Sequence, residues 1–177
     1  MVTAIVRLAP LLFLLMFARP GCASDSDHLS QEDDIREAVF RHQFDHNASG
    51  QQKSAHAYCL AIFWNDKASD PSKQFMKRFA HHQPPVRGGS ACHWAPVGVV
   101  ENRTGRSALI FSVSKINWLS DTEVTVGGGY EEGNVSSSGN TYTVKKQNGK
   151  WTVANDQMNV ISENHEVVLP GAIAPCS

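Results

Sequence analysis

The sequence predicts an α+β domain in which N-terminal helices pack on a curved, mainly antiparallel sheet. Three observations carry that expectation. Apolar residues recur at helical spacing early in the chain, alternate with a period of two from about residue 109, and meet the hairpin signal Asn148-Gly149 near the end. Helices first and strands gathered afterwards point to α+β rather than to an alternating α/β arrangement.

The elements follow in order along the 177 residues. Residues 1–7 carry one positive charge, Arg7, and residues 8–17 are an unbroken apolar run. Gly21 and Ala23 then give a small-x-small pattern before the polar Ser24-Asp25-Ser26-Asp27. Ten residues rise about 15 Å as helix, half of the roughly 30 Å bilayer core, so residues 1–23 read as a secretory signal peptide and not as a membrane span. The alternative is a lipid anchor at Cys22, because Gly21-Cys22 resembles the end of a bacterial lipobox. Arg19 and Pro20 stand where that motif takes Leu and a small residue.

Residues 24–30 read as a flexible tail. Ser30 can cap a helix whose first turn, Gln31-Glu32-Asp33-Asp34, places acids at its positive end. Ile35, Ala38, Val39, His42 and His46 share one stripe of that helix, flanked by Phe40 and Phe44, and residues 47–50 close it. Residues 56–64 are apolar at almost every position, as in a strand covered on both faces. Asp70-Pro71 opens a second helix, with Phe75, Met76 and Phe79 as its apolar side, that ends before Pro84-Pro85. Residues 86–106 read as a loop around the short Val97-Gly98-Val99-Val100. Leu109, Phe111 and Val113 alternate in one phase, and Ile116 and Trp118 in the other, so a bulge is expected near Ser114-Lys115. Val124, Val126 and Tyr130 begin the next strand, Tyr142 and Val144 mark another, and Trp151 and Val153 lead the last. One domain therefore spans 31–162, followed by an irregular tail over 163–177.

Apolar residues make up 41% of the chain and charged residues 19%, which excludes a disordered polyelectrolyte. The net charge of −1 gives no reason to expect nucleic acid. Cleavage after Ala23 would leave 14 basic against 17 acidic residues, a net −3, with no transmembrane segment in the mature chain. The expected location is periplasmic or secreted. In such an oxidising compartment Cys59, Cys92 and Cys176 are candidate staples. Cys59–Cys92 is the favoured pair, because the turn-rich segment around Cys92 needs an anchor; closing that loop is worth about 3.5–4 kcal/mol. Cys176 is then left over, and free buried thiols are the alternative.

The element order, the bent strand over 109–118 and the closing pattern Lys150-Trp151-Thr152-Val153 with Asp156 resemble the NTF2-like (cystatin-like α+β) superfamily over about 31–162. The segments 128–134 and 138–142 resemble a stretch found in uncharacterised exported bacterial proteins. The superfamily resemblance implies a cone with a cavity between sheet and first helix. It implies no particular chemistry, since that fold hosts enzymes, ligand binders and assembly modules. In its enzymes an Asp or His commonly serves as general base and a Tyr as hydrogen-bond donor, which singles out Tyr130 and Asp156, with His42, as candidate catalytic residues.

Eight histidines are the one unusual number in the composition. His42 and His46 stand at i, i+4, where two rings can share a metal ion or a proton. The competing reading makes His42 a packed, hydrogen-bonded residue and His46 a helix-end residue. His81-His82 likewise suits a helix end. The run Gly127-Gly128-Gly129 reads as a strand connection, since no GxxxxGK[ST] pattern and no following helix are present. No GxSxG elbow occurs. Asn47, Asn102 and Asn134 head glycosylation-type triplets, and the four tryptophans read as core residues.

The expected function is that of an exported domain binding a small ligand or an envelope component without catalysis and without a cofactor. Two alternatives stand beside it: a hydrolase or isomerase using His42, Tyr130 and Asp156, and a metal binder built on His42 and His46. The oligomeric state is open, a homodimer being one option.

Overall fold

The computed structural model describes residues 25–47, 49–133 and 136–161. The leader expected over 1–23, Cys22, Asn134, and the tail over 163–177 with Cys176 lie outside the described residues. The elements are α1 (Asp25–His46), β1 (Ala57–Trp64), β2 (Lys67–Ser69), α2 (Lys73–Met76), β3 (Val86–Gly88), β4 (Cys92–Ala95), β5 (Gly98–Glu101), β6 (Ala108–Ser120), β7 (Glu123–Gly133), β8 (Ser136–Gln147) and β9 (Lys150–Ile161). Seven strands form one sheet in the order β2-β1-β6-β7-β8-β9, with β3 also paired to β1, while β4 and β5 form a separate two-stranded sheet. β1 runs parallel to both β3 and β6, and β6 to β9 form an antiparallel meander. No described helix is long and apolar enough to cross a membrane.

This architecture corrects the expectation of N-terminal helices packed on a curved, mainly antiparallel sheet, and with it the cone implied by the NTF2-like resemblance. The described residues are mainly β, 53% strand against 23% helix, and their large sheet is mixed. The second helix is four residues long, followed by a 3-10 turn over Lys77–Phe79. Ser72 caps it by accepting from the Phe75 amide. Phe75 and Phe79 are buried against Phe40, so aromatic packing fixes this segment without helical length. The presumed loop over 86–106 contains three short strands. Its Gly and Pro content hides them because their apolar partners lie elsewhere in the chain. At the other end, α1 starts at Asp25, so residues 25–30 are not a tail. His28 stacks on Trp118 with ring centroids 3.8 Å apart, and Lys146 and Trp151 both donate to Gln31 Oε1.

The core explains why β1 is apolar at nearly every position. On the face toward α1, Leu60, Leu109, Phe111, Val124 and Val144 pack with Ile35, Val39, Phe40 and Phe75. On the other face, Ala57, Cys59, Ala61, Ala108 and Ile110 are covered by Cys92 and Val99 of the β4–β5 hairpin. The expected Cys59–Cys92 disulfide joins that hairpin to β1, with Cα atoms 6.3 Å apart. Trp151 is buried, but Trp64 is 59% exposed, against its expected core role.

Local signals are met in several places. The β6–β7 register shifts between Val113 and Ile116, where the change of phase places a bulge. Asn148 and Gly149 both adopt positive φ, 52° and 79°, as a tight hairpin turn requires. Two further register shifts in the β8–β9 pairing leave Ala154 and Asn159 of β9 without partners. Gly127-Gly128-Gly129 lies inside β7 rather than in a connection. A Cβ at Gly128 would run into the Ser112 carbonyl oxygen, and one at Gly129 into that of Ser138.

Candidate functional site

The last turns of α1 lie against the β7–β8–β9 part of the sheet. Gln43, 2% exposed, anchors that contact. Its Nε2 donates to the carbonyl oxygen of Ser112 at 2.9 Å, to that of Gly129 at 3.3 Å, and to the Tyr142 hydroxyl at 3.3 Å. Two carbonyl acceptors on one side of the carboxamide fix its orientation. Oε1 therefore points the other way, where it is buried without a hydrogen-bond partner.

Beside Gln43 is a cavity of about 150 Å³. α1 and the residue after it contribute Gln43, His46 and Asn47 to its lining, and β7 contributes Tyr130. Ser138, Asn140 and Tyr142 alternate along β8, and Asp156 and Met158 along β9, so the period of two turns all five toward the same face. Asp156 is the centre of the polar network. Its Oδ1 accepts from Asn140 Nδ2 at 2.5 Å, and its Oδ2 faces His42 Nε2 at 3.1 Å. Ser138 Oγ donates to Asn140 Oδ1 at 2.9 Å, extending the chain of bonds inward. A carboxylate can only accept, so His42 carries its proton on Nε2 in this contact. By the same logic His46 Nδ1 donates to the His42 carbonyl oxygen at 3.1 Å.

Tyr142 stands apart electrostatically. Burial pushes its hydroxyl up to about 12; the hydrogen bond from Gln43 opposes that shift, and the charge of Asp156 adds to it. The residue is therefore a neutral phenol throughout the physiological range.

The three candidate catalytic residues thus come from three elements to one region. Tyr130 and Asp156 line the cavity, and His42 stands behind Asp156, bonded to it. His42 and His46 stack face to face, with centroids 4.3 Å apart and planes 9° from parallel. Imidazole lone pairs lie in the ring plane, so stacked rings aim them side by side and not at one point. Among the described residues no group of three or more His, Cys, Asp and Glu could hold a metal ion. His82 donates from Nδ1 to the Pro84 carbonyl oxygen at 2.8 Å and packs on Phe44, outside the cavity.

Sequence reasoning missed Gln43, Ser138, Asn140 and Tyr142. One signal was present: polar Ser138 and Asn140 continue, in phase, the same strand face that carries Tyr142 and Val144. Polar residues in register with a core face mark a place where a sheet turns from packing to lining. Gln43 gives no such signal, because its partners are 69 to 99 residues away. Comparisons with family models, with curated proteins and with solved structures find no match to this chain.

Proposed function

We propose that this is an exported domain that binds a small polar molecule, or a polar group of an envelope partner, in the cavity beneath the end of α1 without turning it over. The observation that carries this reading is convergence. A carboxylate, three carboxamides, an imidazole, a serine hydroxyl and two tyrosines, from α1 with the residue after it and from β7, β8 and β9, meet at one concavity. At about 30 Å³ per molecule of liquid water, the space holds roughly five waters, or a ligand of a few heavy atoms. Drug-sized sites are larger, about 300 Å³ and upward.

Two features argue for binding over turnover. His42 faces Asp156 rather than lining the cavity, and Ser138 is bonded to Asn140 rather than to a histidine. The enzyme reading keeps one specific support, the His42–Asp156 contact, in which a carboxylate orients an imidazole as acid–base catalysis requires. Export is supported by the Cys59–Cys92 disulfide, since such bridges persist in oxidising compartments, and by the leader-like residues 1–23. Intact mass separates the two export routes: a chain beginning at Ser24 means cleavage, and a retained, acylated Cys22 means a lipid anchor.

Binding is tested by titrating ¹⁵N-labelled protein with a panel of small polar molecules. Saturable shifts at Gln43, Ser138, Asn140 and Tyr142, with the ligand recovered unchanged, are the expected result. Absence of saturable shifts at these positions overturns the binding reading, and a product in the recovered ligand replaces it with the enzyme.

A further inference from the structure

We infer that the occupant of this cavity is a small organic cation, of the alkylammonium class, held by Asp156 between aromatic walls. This rests on the ligand-binding reading above and specifies its chemistry.

The charge of the lining is one-sided. Among the described residues Asp156 is its only acid, no lysine or arginine lines it, and His46 is its one basic side chain. Among described residues the ion-pair partner of Asp156 is His42, which lies behind it. The carboxylate is 26% exposed as a side chain, so it is accessible and only partly screened by water. Its two oxygens offer about four lone-pair sites, of which Asn140 and His42 use two. Two donors of the lining are already engaged within the protein. The Gln43 amide nitrogen serves protein acceptors, and the Ser138 hydroxyl serves Asn140. The neutral Tyr142 hydroxyl, which accepts from Gln43, keeps its own proton to donate, so the unmet demand of the cavity is the charge of Asp156 and not a want of neutral donors.

Gln43 is the second observation. It is a lining residue and almost wholly buried, and among the described residues its Oε1, closed off from solvent, has no donor. The partial negative charge of this unpaired oxygen favours a cation nearby and opposes a carboxylate or phosphate. Tyr130 and Tyr142 supply ring surface, and an aromatic face attracts a cation within about 6 Å of its centroid. The upward push of Asp156 on the Tyr142 phenol shows the carboxylate field reaching across this wall. A cation enters a site with that field favourably, and an anion does not.

The test compares three probes of nearly equal size at constant ionic strength: n-propylammonium chloride, 1-propanol and sodium propionate. Each is titrated into the native ¹⁵N-labelled protein, then into Asp156→Asn, whose retained peak dispersion reports an intact fold. The expected result is saturable propylammonium binding at Gln43, Asn140 and Tyr142, about tenfold tighter than propanol and weakened about tenfold by Asp156→Asn. Equal or tighter binding of propanol or propionate overturns the cation assignment on the native protein alone, while leaving ligand binding in place. Undiminished propylammonium affinity in folded Asp156→Asn overturns the role of Asp156. Failure of all three probes to bind at the cavity overturns both this inference and the reading beneath it.

Discussion

At Gln43 a single carboxamide holds α1 to β6, β7 and β8 through Ser112, Gly129 and Tyr142. That arrangement depends on the absence of a side chain opposite it. The Gly128→Ala protein should lose about 1–3 kcal/mol of stability in urea, because its new Cβ meets the Ser112 carbonyl oxygen and crowds Gln43 Nε2. Tyr142 has a signature of its own. The folded protein holds the phenol proton more tightly than the unfolded chain, whose phenol titrates at 10.0. Below pH 10 this group leaves stability unchanged; as pH rises from about 10 to about 12 it lowers stability, by up to roughly 2 kcal/mol. Tyr142→Phe should cost about 0.5–1.5 kcal/mol at neutral pH and reduce the alkaline fall, measured by denaturation at successive pH values, to what remains from Tyr58, whose phenol burial also pushes up. Of the residues in this region, His42 and Asp156 could be picked from the sequence, one by helical spacing and the other by a family pattern. Their contact could not, since 114 residues separate them.

At the scale of elements, the β4–β5 hairpin is the most dependent part of the structure. A two-stranded sheet is marginal alone, and this one is held to β1 by a small apolar cluster and a disulfide. Reducing Cys59–Cys92 should destabilise the protein by about 3.5–4 kcal/mol and lower its melting temperature. Amide exchange should then quicken in β4 and β5 before the β8–β9 hairpin, where the turn and long ladder remain. Equal acceleration in both hairpins would contradict this account. Elements were legible where a local rule decides them. Asn148-Gly149 meets a demand for positive φ, and the slip between Val113 and Ile116 is the bulge itself. β3, β4 and β5 were not legible, because non-local packing and a cross-link form strands there from residues with no period. The second helix failed for the converse reason. Its apolar spacing is genuine, but Phe75 and Phe79 are buried by neighbouring rings after a single turn.

Across the whole molecule, the sheet is closed in the middle by a long-range parallel pairing. Ala57 of β1 meets Ala108 of β6, and α1 settles on strands from the far end of the chain. Non-local topology of this kind slows folding, so refolding should take milliseconds to seconds. Stopped-flow fluorescence of the Trp118–Trp151 pair, whose rings meet edge to face, is the direct readout. The bulges of β9 carry a further consequence. Among described residues β9 is the last strand of the sheet, and Ala154 and Asn159 interrupt its ladder in two places. An incoming strand needs an unbroken row of evenly spaced donors and acceptors to add to such an edge. The twist at each bulge denies it that row, so concentrated solutions of the folded protein should resist edge-to-edge aggregation and stay free of fibrils.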